Sequence, residues 1–213
     1  MPKQTFFNIS KEKRNRIIDV SLTEFENNTF DNANINNIVK NAKIAKGSFY
    51  QYFEDKKDLY FYILELIAKE KLKYISEVLK NPLEHDFFTL VREMYSLGIK
   101  FSIENPRYTN IGNMLLKDQA SPRYNEVVEN NMGKSYEMFE NLIKLGIARG
   151  DIRKDIDSKF IAYVISEMNL TLINYYTKFV SNEFSDKLFE KVDEMIQFLK
   201  IGIGAEEAKK WLR

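Results

Sequence analysis

The sequence predicts an all-α protein, and two observations carry that prediction. Only eight glycines and four prolines interrupt 213 residues, and the three internal prolines fall between periodic segments. Apolar residues recur at helical spacing almost throughout, whereas no short run alternates apolar and polar side chains between turn signals. We therefore expect long helices and no strands.

The first three predicted helices are short, and each has one apolar face. The first covers residues 10–27, with Ser10 as its N-cap, and the next two cover 35–42 and 46–53. Their apolar faces consist of Ile17, Ile18, Leu22 and Phe25, of Ile35, Ile38, Val39 and Ala42, and of Phe49, Tyr50 and Phe53. These three faces must close on one another to be buried.

The later predicted helices are longer, as in a helical bundle. The fourth covers 56–80, with Asp55 as its N-cap and the acidic Asp58 three residues later, a start similar to a capping box. The others cover 84–104, 107–119, 123–148, 155–181, 185–201 and 205–212, with stop signals at Asn105-Pro106, Ser121-Pro122, Gly150 and Gly202. We place a domain boundary between an N-terminal domain of residues 1–55 and a C-terminal domain of residues 56–213, with the fourth helix contributing to both.

The composition excludes several classes of active site. The absence of cysteine excludes disulfides, thiolate metal sites and cysteine nucleophiles. His85 is the only histidine, so multi-histidine metal sites are excluded. Its position beside Glu84 and Asp86 near a helix start favours a solvated or capping residue over a general base. We expect no catalytic residues, no metal and no cofactor.

Targeting signals are also missing from the sequence. The first residues contain no apolar stretch typical of a secretory signal. The apolar run near the middle of the chain, Leu59–Leu64, has six residues, whereas a membrane-spanning helix needs about 20. We therefore expect a cytoplasmic protein with no membrane partner.

The second and third predicted helices have the layout of a helix-turn-helix, in which the second helix enters the DNA major groove. An ordinary helical corner has the same geometry, but the side chains favour DNA. Lys46, Gly47 and Ser48 open the second of these helices with a charge, a site of close backbone approach and a hydroxyl. Residues 1–56 carry nine Lys and Arg against seven Asp and Glu, so affinity for DNA would depend on a few well-placed cations.

Residues 38–59, IVKNAKIAKGSFYQYFEDKKDL, resemble the signature of the tetracycline-repressor-like (TetR/AcrR) regulators, approximately I-A-x-x-A-G-V-S-K-G-T-L-Y-x-Y-F-x-S-K-E-x-L. The resemblance covers about residues 10–60, and it is specific because many positions agree in register. One departure from the pattern matters, because Lys43 stands where the family has a turn glycine. A positive φ there would cost lysine about 1 kcal/mol relative to glycine.

The resemblance implies roles for individual residues of the helix-turn-helix. Ser48, Tyr50, Tyr52 and Lys56 match positions that touch the phosphate backbone or the groove in the family. Asn36 and Lys46 match positions that contact bases in some members, and their side chains suit adenine and guanine respectively. Gly47 and Gln51 complete the predicted DNA-binding set. Packing in the core is the alternative role for Tyr50, and plain solvation is the alternative for Asn36 and Gln51.

The last two long helices carry apolar seams that suit a four-helix bundle made from two copies of the chain. The resemblance favours this dimer, although the same seams could pack inside one chain. In a twofold dimer the two recognition helices would lie about 34 Å apart and read a palindrome-like operator. The predicted interface consists of Ile165, Met168, Leu172, Tyr175, Phe179, Leu188, Val192, Met195 and Leu199.

The central helices are rich in large apolar side chains, for which ordinary core packing is the plain explanation. The resemblance implies instead a cavity with a few polar groups that binds a small effector. The predicted lining consists of Tyr95, Phe101, Met114, Phe139, Met168 and Asn169.

The sequence as a whole therefore predicts a DNA-binding transcriptional regulator. We expect a homodimeric repressor that binds a double-stranded operator and is released by a small apolar or aromatic molecule. The alternatives are a helical-bundle interaction protein that no small molecule controls, and an enzyme built on a helical bundle.

Overall fold

The computed structural model describes residues 1–82, 84–118, 121–181 and 184–205, except for the side chains of residues 123 and 128–132. It contains helices α1 (Gln4–Phe7), α2 (Lys11–Asn27), α3 (Ile35–Asn41), α4 (Lys46–Tyr52), α5 (Lys56–Leu79), α6 (Phe87–Glu104), α7 (Pro106–Lys117), α8 (Pro122–Arg149), α9 (Ser158–Phe179) and α10 (Asp186–Ile203). The prediction of an all-α fold is confirmed. Outside the helices, the described residues form one isolated antiparallel bridge, between Ile152 and Gly204.

The helix ends follow from local hydrogen bonds. The predicted N-cap is confirmed, because Ser10 Oγ accepts from the backbone N–H of Lys13 at 3.3 Å. Helix α9 begins later than predicted because the Asp157 carboxylate accepts from the backbone N–H groups of Lys159 and Phe160. Helix α1 has four residues, too few for periodicity to reveal. The predicted helix at 205–212 lies outside the described residues except for residue 205.

The chain forms two compact units, and each has its own core. The first unit comprises residues 1–72 and 104–127, and the second comprises residues 73–103 and 128 onward. Packing extends the first unit past the predicted boundary at residues 55 and 56 because Leu59 and Ile63 of α5 and Ile111 of α7 are fully buried in its core. This packing does not test which residues contact DNA.

Helix α7 docks on α2 within the first unit. The Arg107 guanidinium donates to the Asp19 carboxylate at 2.7 Å and to the Thr23 hydroxyl at 2.8 Å. It also lies 3.4 Å from the Glu26 carboxylate. These contacts hold the start of α7 against the outer face of α2.

The core of the second unit contains most of the residues predicted to form the dimer interface. Ile165, Leu188, Val192, Met195 and Leu199 are at most 8% exposed and pack inside this unit. Met168 and Leu172 pack partly buried against the same cluster. The spacing predicts an apolar seam, and within one chain this seam packs in the core of the second unit. Only Tyr175 and Phe179 of the predicted set are exposed, at 46% and 67%.

The residues predicted to line an effector pocket are divided between the two units. Met114 belongs to the first unit and the other five belong to the second. Phe101 and Phe139 are buried, and Tyr95 and Met168 are half-buried. Asn169 is exposed on α9, which argues against its assignment to an interior pocket. No helix in the described ranges is long and apolar enough to cross a membrane.

Candidate nucleic-acid interface

Helices α3 and α4 form a helix-turn-helix whose inner faces are buried. Ile38 and Val39 of α3 and Phe49 of α4 lie in the core of the first unit. The Asn34 side chain caps α3 by accepting from the Asn36 N–H at 2.9 Å. Because the inner faces are fixed by packing, the outer face of α4 is left to meet a partner.

The turn between the two helices has a positive φ at Lys43, the position where the family has a glycine. Lys43 has φ +53°. The N–H of Ile44 bonds the carbonyl of Val39 at 3.0 Å and the N–H of Lys43 bonds that of Lys40 at 3.2 Å, which is the Schellman pattern of a helix end. Lysine therefore occupies the glycine position of this motif, and the turn geometry is retained.

A shallow groove beside α4 gathers half of the predicted DNA-binding residues. Asn36, Lys46, Tyr50 and Lys56 line it together with residues 31–35. Lys46 is exposed and has no ion-pair partner among the residues described. The Tyr50 ring packs edge-on against Phe49 at 5.2 Å yet remains 43% exposed. The groove thus offers amide, ammonium and phenol groups on one surface.

Three further predicted residues lie on α4 itself. Gln51 is exposed and Ser48 is half-buried. Gly47 is exposed, and a Cβ built there would meet no atom within 4 Å. The fold therefore does not require glycine at this position, which leaves close approach of a partner as a reason for it.

Two predicted contacts have structural roles instead. Tyr52 is only 6% exposed, packs near the Phe6 ring and lies under the Lys13 ammonium at 5.5 Å. Its burial argues against the predicted DNA contact. The Lys56 ammonium donates to the carbonyls of Ala33 at 2.7 Å and Asp31 at 3.1 Å, so it holds the loop before α3 and is only partly available to DNA.

Glu24 organises this surface, and the sequence analysis missed it. Its carboxylate, in a residue 9% exposed, accepts from the Asn34 N–H at 2.8 Å and from the Asn37 side chain at 3.3 Å. The sequence does carry a signal, because position 24 falls seven residues after Ile17 on the apolar face of α2. An acidic residue at the centre of such a face indicates a buried acceptor.

Comparisons with known proteins agree with this geometry. Residues 17–63 match the family described as bacterial regulatory proteins, tetR family. The uncharacterised HTH-type transcriptional regulator YvdT of Bacillus subtilis (strain 168) is 28% identical over 96% of this chain and 99% of its own length. These relatives are transcriptional regulators, not enzymes.

Solved structures extend the similarity to the whole chain. A TetR family transcriptional regulator from Chloroflexus aurantiacus J-10-FL is 31% identical, with a TM-score of 0.63 over 97% of this chain and 100% of its own. The fatty acid degradation regulator FadR from Bacillus halodurans is 17% identical, with a TM-score of 0.65 over 90% of this chain and 96% of its own. At that lower identity the likeness shows the fold alone.

Proposed function

The chain belongs to the TetR family of transcriptional regulators, and we propose that it is a homodimeric repressor that reads its operator with α4 and releases it when a small molecule binds the second unit. The observation that carries the DNA-binding part is the groove lined by Asn36, Lys46 and Tyr50 beside the open backbone at Gly47. Phosphate contacts position such a surface, and base-edge contacts select the sequence.

Charge and exposure support separate roles within this surface. Lys46 is exposed without an ion pair in the described chain, so its ammonium is available for a guanine edge or a phosphate. The half-exposed Tyr50 phenol can donate to a phosphate oxygen while its ring stays anchored on Phe49. Asn36, whose backbone is fixed by the Asn34 cap, suits adenine.

DNA binding is tested by titrating duplexes from the region flanking the gene and measuring fluorescence anisotropy at several salt concentrations. We expect Lys46→Ala and Tyr50→Ala each to weaken operator binding by about 1–3 kcal/mol, and Lys46→Ala to reduce the salt slope by about one if it contacts phosphate. Lys187→Ala, which removes the same charge from the exposed start of α10, serves as the control. Unchanged affinity in both α4 variants would contradict the assignment.

Exposed apolar side chains on α9 and α10 support the homodimer. They are Phe160, Tyr163, Tyr175, Phe179, Phe198 and Ile201, each between 46% and 67% exposed. Several exposed large apolar side chains on two helices that contact each other favour an interaction surface. Because the seams predicted from spacing are buried inside the chain, this outer surface replaces them as the proposed dimer contact.

The Tyr95 hydroxyl supports an effector site in the second unit. It is buried and has no hydrogen-bond partner within the described residues. Burial raises the pKa of the phenol, so the group is a neutral donor. Since an unpaired buried donor is costly, we propose that a small, mainly apolar molecule supplies the acceptor. It would release the operator only by binding two arrangements of the dimer with different affinities.

A further inference from the structure

The C-terminal end of α4 is completed by the first residues of the chain. The last turn of an α-helix leaves four carbonyl groups without partners in the helix. In α4 the Phe49 carbonyl accepts from the Phe53 N–H at 2.9 Å. The remaining three all accept from residues 3–5: Tyr50 O from Lys3 Nζ at 2.9 Å, Gln51 O from Thr5 Oγ1, and Tyr52 O from the Lys3 N–H at 2.8 Å.

Phe6 anchors these donors to the core. Its side chain is fully buried, and its ring centroid lies 4.8 Å from that of Phe53 and 5.4 Å from that of Tyr62. The position of the Lys3 ammonium is also electrostatically favourable, because the end of a helix carries partial negative charge. Lys3, Thr5 and Phe6 together, here named the N-terminal clamp, thus hold one end of α4 by backbone acceptors and packing.

Apart from the clamp, the last turn of α4 is held by the burial of Tyr52 and Phe53 in the core. The helix has seven residues, and at its other end Ala45, the N-cap, provides no side-chain hydrogen bond. Helices this short are not stable alone and depend on tertiary contacts. The clamp residues also lie outside the segment that matches the family, residues 17–63.

We propose that the N-terminal clamp sets operator affinity by holding the last turn of α4 in its binding orientation. This inference rests on the proposed function of α4. Lys3 and Thr5 are positioning residues in it, since they act through the carbonyls of Tyr50 and Gln51 and not through contact with DNA. A clamp that loosens would let Tyr50 and its neighbours lose their alignment with the groove.

The test compares Thr5→Val, which removes the donor at nearly constant volume, with Thr5→Ser, which keeps it. Gln4→Ala is the control in the same segment, because that side chain bonds only Asn8 within the described residues. The first readout is amide hydrogen exchange at residues 50–53 without DNA. The second is operator affinity against salt concentration, and thermal unfolding of the full chain reports on global stability.

We expect Thr5→Val to speed exchange at residues 50–53 and to weaken operator binding, each by about threefold to tenfold, with an unchanged salt slope and a melting temperature lowered by only about 2–4 °C. Thr5→Ser and Gln4→Ala should stay close to wild type. Unchanged exchange in Thr5→Val would overturn the clamp. If operator binding were weaker in that case, Thr5 would contact DNA itself. Failure of the wild-type chain to bind any operator would instead overturn the proposed function, while exchange still reports on the clamp.

Discussion

The positive φ of Lys43 sets the direction in which the chain leaves α3 and enters α4. Its φ of +53° closes the Schellman motif after α3, and Arg16 adds a hydrogen bond from Nε to the neighbouring Ala42 carbonyl at 2.9 Å. The motif therefore holds without the glycine that usually occupies this position. The conformation is one that a side chain with a Cβ adopts at a cost.

We predict that Lys43→Gly stabilises the first unit by about 0.5–1 kcal/mol, because it relieves the left-handed strain by more than it adds to the freedom of the unfolded chain. Lys40→Gly removes the same charge from a helical position of α3 and should destabilise by about 0.5–1 kcal/mol. Urea denaturation of the two variants and the wild type checks both signs. A loss of stability in Lys43→Gly would show that the turn is not strained.

The Tyr95 hydroxyl allows a second test of a single group. Because this buried donor has no partner in the described chain, Tyr95→Phe should leave the free energy of unfolding unchanged or raise it by up to about 1 kcal/mol. Tyr176→Phe is the matched variant, since the Tyr176 hydroxyl lies 2.9 Å from Ser185 Oγ and its loss should cost about 1 kcal/mol. If urea denaturation shows equal losses, Tyr95 is paired and the proposed effector acceptor loses its basis.

At the scale of elements, periodicity and stop signals predict helices well because each helix needs one apolar face. Most of the predicted apolar positions of α2, α3 and α4 are buried, although Tyr50 is exposed. Ser10 caps α2 as its residue type suggests. The same reasoning cannot reveal α1, whose four residues complete no periodic pattern. Its order comes from carbonyl groups of α4, which lie 46 or more residues away in sequence.

The start of α6 provides a prediction about pH. The Asp86 carboxylate accepts from the N–H groups of Phe88 at 2.9 Å and Thr89 at 3.1 Å, and from the Thr89 hydroxyl at 2.6 Å. Burial alone would raise the pKa of Asp86, but these hydrogen bonds and the charge of Lys200 outweigh it and lower the pKa. Since the folded pKa is lower than the unfolded one, the ionised cap stabilises the protein above the unfolded value of about 3.9.

We therefore expect Asp86→Ala to destabilise the second unit by about 1 kcal/mol at neutral pH. Asp86→Asn, which keeps an acceptor without charge, should lose less. For both variants the difference from wild type should shrink as pH falls through the lowered pKa of Asp86, because the wild-type cap becomes protonated there. Urea denaturation at neutral and acidic pH measures these differences. Differences that do not change with pH would mean that the charge of the cap contributes nothing.

At the scale of the whole molecule, the helical spacing of the last two helices indicates a seam but not its partner. Leu188 and Val192 are almost completely buried within their own chain, whereas Phe160 and Phe198 are more than 60% exposed. Apolar spacing is the same for packing inside one chain and for packing between two chains, because every helix that packs on another has an apolar face. A motif in fixed register specifies individual positions of α3 and α4, but it does not reveal that Tyr52 is buried and that Lys56 bonds the loop before α3.

In the proposed symmetric dimer, α4 of each protomer reads duplex DNA. The sequence has no cysteine, so a single Asn32→Cys variant can carry an iron chelate in the groove beside α4, with Lys187→Cys in the second unit as control. On a bound operator duplex we predict two clusters of strand cleavage about 10 base pairs apart, or a multiple of this spacing, from the first variant and none from the second. Absent cleavage, or the same pattern from both variants, would contradict the claim.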